Sequence, residues 1–162
     1  GLKRRDFIPY QSPSIESVNK LALEQHYMSY YIKWVPQENF YYAKKHTMFE
    51  PNPKRTPGTY SRYSSFDDII DFLHYYCMLV KFGMGRATWD ASQEIRSGKI
   101  TREEGIALVH KYDTEFPEEY LSDWCGYMDI SEQEFFDTIE KFRSPHLWHK
   151  ENGEWKLTHP VK

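Results

Sequence analysis

The chain has 162 residues, with 21 Lys and Arg against 24 Asp and Glu, for a formal net charge of −3. That length suits one domain with a real core, and the charge balance argues against a dedicated nucleic-acid binder, which is usually basic overall. Mean hydropathy is −0.78 and no apolar run approaches ~18 residues, so no membrane-spanning segment is expected. The opening residues carry no charged-then-apolar leader, and Cys77 and Cys125 form no C-x-x-C pair. Buried thiols in a reducing, cytoplasmic setting are the expectation. Aromatic residues make up 17% of the chain, and simple aliphatics are few. They can fill a core with rings whose polar ends need partners, or line an interface.

Residues 1–11 hold a Lys3-Arg4-Arg5 cluster and an extended Phe7-Ile8-Pro9-Tyr10, and read as a linker arriving from another domain. Ser12-Pro13 offers an N-cap with proline at the first helical position, so a helix is expected over 13–25. Residues 27–34, YMSYYIKW, suit a strand or a buried extended segment. Pro36 opens a helix over 36–46. Three prolines and a glycine in residues 50–64 predict a long loop, which also carries Lys54, Arg55 and Arg62 beside Tyr60 and Tyr63.

Ser65-x-x-Asp68 resembles a capping box, and Ile69, Phe72, Leu73, Tyr76, Cys77 and Val80 then follow at helical spacing. Lys81-Phe82-Gly83-Met84-Gly85-Arg86 interrupts that helix, and a second helix runs over 86–97 to Ser97-Gly98. Thr101-x-x-Glu104 and Ser131-x-x-Glu134 are capping boxes for two further helices, with one from Pro117 between them. Leu121, Trp124, Cys125, Met128, Phe135, Ile139 and Phe142 are their inward residues, and Ile130 can staple to Phe135. Asn152-Gly153 predicts a type I′ hairpin that pairs Lys150 with Trp155 and Trp148 with Leu157. The expectation is a mainly α fold of about six to seven helices with a C-terminal β-hairpin. Its divisions are a linker at 1–11, an aromatic-rich helical region at 12–99, and a three-helix unit plus hairpin at 100–162.

The stretch 81–90, KFGMGRATWD, is the most informative chemically. Gly83 can end the first helix in the left-handed region, and Gly85 can let the backbone approach a ligand. Arg86 lies in a first helical turn, where the helix dipole disfavours a cation unless an anion is near. That anion is either Asp90, one turn on, or a bound phosphate or carboxylate cradled by the N–H groups of 86–88 with Lys81 and Arg86. His74 reads as an ordinary hydrogen-bonded histidine or as a polar group close to that bend. Lys33 reads as a snorkelling lysine or as a cation over a ring. No H-E-x-x-H, C-x-x-C, G-x-S-x-G or P-loop pattern occurs, so no metal site is expected.

The blocks YMSYYIKW, ENFYYAKK, TYSRYSSFDDIIDFLHYY, KFGMGRATWDASQEIRSGKITREEGIALVHKYD and SPHLWHKENGEWKL together resemble the C-terminal part of N-acetyl sugar amidotransferases, from about Pro9 onward. The most specific block is 81–113. The resemblance implies a PP-loop ATP-pyrophosphatase class enzyme of bacterial surface polysaccharide (LPS, O-antigen) synthesis. Such an enzyme adenylylates the acetamido oxygen of a nucleotide-linked sugar, and ammonia then displaces AMP to leave an acetamidino group. It implies ATP with Mg in the full-length enzyme, a glutaminase subunit and a cyclase-like subunit. The family's Ser-Gly-Gly-x-Asp-Ser loop and N-terminal cysteine cluster do not occur here. An α/β PP-loop domain is therefore expected upstream, and no ATP on this chain alone.

On that resemblance Lys81 and Arg86 are candidate catalytic cations, with Gly83 and Gly85 as hinges of a closing loop. His74, Lys33, Tyr60, Arg62 and Asp90 are candidate substrate-binding residues. Two other readings stand beside it. One is a docking domain for the glutaminase or for self-association. The other is a winged-helix-like DNA module over 100–157, opposed by the acidic run Glu103, Glu104, Glu115, Glu118, Glu119 and Asp123.

Overall fold

Capping and glycine signals set most of the element ends in the computed structural model, which describes residues 1–162. The chain divides into two compact units, Gly1–Trp34 and Val35–Lys162. The boundary expected at 99/100 falls inside the second unit, where neighbouring helices pack on each other.

The first unit has a 3₁₀ turn at Arg4–Tyr10, helix α1 at Ile15–Leu21 and a single helical turn, α2, at Met28–Tyr31. The expected helix over 13–25 is shorter at both ends. The Ser14 hydroxyl, not that of Ser12, accepts the Ser17 N–H at 3.2 Å, and Ala22 stops the helix in the left-handed region at φ 47°. Residues 27–34 are neither strand nor buried. Tyr30 is 84% exposed, and none of the unit's residues is buried.

The second unit contains α3 (Pro36–His46), α4 (Ile70–Phe82), α5 (Arg86–Ser97), α6 (Arg102–Tyr112), α7 (Leu121–Met128) and α8 (Glu132–Lys141), followed by β1 (Trp148–Glu151) and β2 (Glu154–Leu157). It is mainly helical, as expected. Helix α4 starts five residues later than Ser65 suggested. Ser65 itself sits at φ 61°, and the Asp68 carboxylate accepts the Ile70 and Asp71 N–H groups at 2.9 and 3.1 Å. Thr101 and Ser131 cap α6 and α8 through reciprocal boxes. Pro117 leads first into a 3₁₀ turn at Glu118–Tyr120, and α7 follows it.

One core joins α4, α7 and α8 through Phe72, Val80, Leu121, Trp124, Cys125, Phe135 and Ile139. Phe116, Tyr76 and Tyr120 close its edge, with Phe72 stacked on Tyr120 at 4.6 Å. Two expected members lie outside it. Met128 (40% exposed) ends α7 just before the left-handed Asp129, and Phe142 (47% exposed) is already the C-cap of α8. Helices α5 and α6 pack closely because Gly105 lacks a side chain. A Cβ there would meet Ile95 Cδ1 at 2.7 Å.

The hairpin has the predicted register, Trp148 opposite Leu157 and Lys150 opposite Trp155, with Asn152 and Gly153 both at positive φ. Its buried Trp148 donates its indole N–H to the Val80 carbonyl at 2.8 Å, tying the strand to the end of α4. Arg143 lies against both indoles, 4.5 Å from Trp148 and 5.4 Å from Trp155. No helix is long and apolar enough to cross a membrane.

Candidate functional site

The 81–90 bend is built by two glycines with different tasks. Gly83 closes α4 in the left-handed region at φ 72° and donates its N–H to Leu79 O at 2.8 Å. Gly85 is needed for space, because a Cβ there would lie 2.6 Å from the Asp113 carbonyl oxygen. What approaches this backbone is Asp113, not a ligand. One Asp113 carboxylate oxygen accepts the Gly85 N–H at 2.9 Å and the Thr88 hydroxyl at 2.8 Å, and the other accepts the Thr88 N–H at 2.8 Å. Ala87 N–H donates to Gly58 O at 2.9 Å.

The expected anion cradle at the start of α5 is therefore corrected: the protein's own groups fill it. Asp113 is the anion that the helix dipole calls for, and it is only 5% exposed. With the Gly85, Ala87 and Thr88 N–H groups committed, the start of α5 is not a backbone cradle for phosphate.

Arg86 is tied down as well. Its Nε lies 3.2 and 3.4 Å from the two Asp90 oxygens, Nη1 reaches Ser65 Oγ at 3.5 Å, and the guanidinium lies 4.1 Å over the Tyr75 ring. The Arg86 side chain is 13% exposed. Asp90 is thus its counter-ion, the plainer of the two readings above. Lys81 is exposed and rests 5.2 Å over Phe142. The two cations share no partner. His74 is exposed, with its ring edge-on to Tyr75 at 5.3 Å. Lys33 belongs to the first unit and is exposed there.

The loop at 51–66 lacks regular structure but is firmly held. Arg55 makes a bidentate pair with Glu115, both bonds 2.7 Å, and Gly58 N–H donates to the same carboxylate at 2.7 Å. Hydrogen bonding to Arg55 holds the Glu115 carboxyl below its ordinary range, against a smaller upward push from burial. Thr59, fully buried, donates to Asp90 at 2.6 Å, and Thr56, also buried, donates to Ser64 O at 3.2 Å. No buried side-chain donor or acceptor is left without a partner.

Beside this network lies an open groove of about 460 Å³, lined by Phe40, Lys44, Tyr60, Arg62, Tyr63 and Glu94 among others. Tyr60 and Tyr63 donate their hydroxyls to the two oxygens of Glu94, at 3.2 and 3.3 Å. Glu94 is 7% exposed. Burial raises its carboxyl above the ordinary range, the two tyrosine hydroxyls pull it back, and Asp90 adds an upward push. Burial, and then the charge on Glu94, drives both tyrosines above theirs, so they remain neutral donors. Phe40 stacks on Tyr63 at 4.5 Å.

Of the expected site residues, the structure brings Arg86 and Asp90 together, and it places Tyr60 and Arg62 on the adjoining groove. Sequence reasoning missed Thr59, Glu94, Asp113 and Glu115. Glu94 was within reach, since it continues the Ala87–Ala91 stripe that α5 buries. Asp113 and Glu115 give no local signal, because their partners lie 25 to 60 residues away.

Residues 57–162 match the sequence model of a family described as LPS biosynthesis protein WbpG-like, C-terminal domain. No curated protein matches the chain. The matched segment includes the bend, Asp113, Glu115 and the tyrosine–Glu94 floor of the groove; Phe40 and Lys44 lie upstream of it.

Proposed function

The chain belongs to the WbpG-like C-terminal domain family of LPS biosynthesis proteins, and from that premise we propose that it is the acceptor-side domain of an ATP-dependent N-acetyl sugar amidotransferase. The full enzyme exchanges the oxygen of an acetamido group on a nucleotide-linked sugar for nitrogen from ammonia, in the cytoplasm. ATP with Mg belongs to an adjoining PP-loop domain, and the ammonia comes from a glutaminase subunit working with a cyclase-like subunit.

The observation that carries this reading is the fixed loop 51–66. Four carboxylates, on Asp90, Glu94, Asp113 and Glu115, are committed to holding that loop or the start of α5. An irregular segment of this length held so tightly suits a substrate-facing wall on a rigid scaffold. The bend 81–86 is then part of the wall and not a moving lid. Arg86 is a positioning residue that keeps Asp90 under Thr59, and exposed Lys81 is the cation free to face phosphate charge from the adjoining domain.

The test is a full-length polypeptide carrying the PP-loop domain, supplied with ATP, ammonia and a UDP-N-acetyl sugar, with the product read by mass spectrometry. The expected product carries NH in place of the acetamido oxygen. Absence of that product with all three supplied overturns the reading. Lys81→Ala should lower kcat by orders of magnitude. Arg86→Ala should chiefly raise KM for the sugar nucleotide, and Arg86→Lys should restore much of it.

One observation favours a second, compatible role. Tyr10, Tyr27 and Tyr30 of the first unit are 87, 76 and 84% exposed, as a docking face for the glutaminase or a second copy would be. Serine substitutions at all three should abolish glutaminase pull-down or self-association if that face docks.

A further inference from the structure

The groove beside α5 combines three features: a hydroxyl floor, an apolar wall and a cationic rim. Its floor is the pair of tyrosine hydroxyls aimed at Glu94. Each hydroxyl spends its proton on the carboxylate, so its oxygen lone pairs are left to accept from a ligand. The wall includes the stacked Phe40 and Tyr63 rings, which make that side of the groove apolar.

The rim carries Lys44 and Arg62, both exposed, whose side chains make no ion pair, hydrogen bond or ring contact within the protein. This contrasts with Arg55, Arg86 and Arg143, which are each paired to a carboxylate. Two unspent cations above a hydroxyl-accepting floor call for a ligand that is anionic at one end and rich in O–H and N–H donors at the other.

We infer that this groove is a binding site for a phosphate-bearing sugar, with the phosphate between Lys44 and Arg62 and the sugar hydroxyls on Tyr60 and Tyr63. The inference rests on the proposed function for its choice of a nucleotide-linked sugar, and on the groove alone for the charge and hydroxyl pattern. Glu94 is a positioning residue here, because it orients both tyrosine hydroxyls and need not touch the ligand. Lys44 and Phe40 bring α3 into the site, so the site extends upstream of the matched segment.

The experiment is a titration of the 162-residue chain with UDP-N-acetylglucosamine, followed by amide chemical shifts, with UDP, N-acetylglucosamine and inorganic phosphate as separate arms. Shifts should concentrate at Tyr60–Tyr63 and Glu94. Lys44→Ala and Arg62→Ala remove side chains that hold nothing in the fold, and each should weaken UDP-N-acetylglucosamine about tenfold while circular dichroism stays unchanged. Glu94→Gln gives the floor an amide donor and turns one tyrosine hydroxyl outward as a donor. It should weaken UDP-N-acetylglucosamine and spare UDP.

Shifts centred elsewhere, or affinity unmoved by both cation variants, overturn the site. Equal affinity for inorganic phosphate and UDP-N-acetylglucosamine overturns its sugar half. In the full-length enzyme the two proposals separate. Amidination undiminished by Lys44→Ala and Arg62→Ala sinks the groove and leaves the amidotransferase reading, whereas groove binding with no amidino product does the reverse.

Discussion

Two sides of the second unit solve the same stability problem with different physics. On one side α4, α7 and α8 bury rings against each other, with Trp124 fully buried at the centre and Phe116, Tyr120 and Phe135 around it. On the other, α5, α6 and the loop 51–66 offer mostly small residues, and carboxylate hydrogen bonds take over. Asp113 holds the start of α5, Glu115 holds Arg55 and Gly58, and Asp90 and Glu94 hold Thr59 and the two tyrosines. Apolar burial is indifferent to pH, whereas carboxylate networks are not. The carboxylates of the candidate site, Asp90, Glu94, Asp113 and Glu115, all lie on the charged side, so site integrity and domain stability can be separated by experiment.

The largest expected effect is on the aromatic side. Trp124→Ala removes a fully buried ring and its indole bond to Ile69 O, and should cost ~3–5 kcal/mol in urea denaturation, by a similar amount at pH 5 and pH 8. A loss confined to one pH would break the contrast.

Next comes Asp113→Asn, which keeps the shape but replaces a carboxylate that accepts three hydrogen bonds with an amide that cannot accept them all. About 2 kcal/mol should be lost, with slower-relaxing shifts in the 83–88 amides. The smallest effect belongs to Glu115→Gln, about 1 kcal/mol for a partly exposed pair.

The pH signature of Glu115 is the sharper readout. Its carboxyl is held below the ordinary range, so its contribution is complete above that range and fades as pH falls through the depressed value. Glu94, held above its range, works in the opposite sense, costing stability as pH rises past the ordinary carboxylate range. Wild-type stability should therefore fall on acidification by more than that of Glu115→Gln. Identical acid slopes would show that the Arg55 pair does not matter to the loop.

Local chemistry was legible in the sequence wherever cause and effect are near neighbours. Asn152-Gly153 determines the hairpin register, Thr101 and Ser131 mark their helices by reaching three residues ahead, and Gly83 ends α4 as a left-handed residue must. Ser65 misled because Asp68 three residues on competes for the same helix start and wins. Met128 and Phe142 fit the helical period but stand at helix ends, where the chain turns away before they can bury.

The site was less legible because its logic is long-range. An arginine in a first helical turn implied an anion, and that inference held. Its partner, Asp90, was one of the two anions the spacing offered, whereas Asp113, which takes the N–H groups at the start of α5, approaches from the far end of α6 and nothing around position 86 names it.

The long reach of those bonds also orders the assembly of the domain. The neighbours α5 and α6, joined through Gly98–Thr101, can meet early at little entropic cost, as can the two strands across Asn152-Gly153. The loop must wait, because Thr59 closes on a group 31 residues away and Arg55 on one 60 away. The groove takes shape only once that loop and α5 have met, with Tyr60 and Tyr63 reaching Glu94 across 34 and 31 residues.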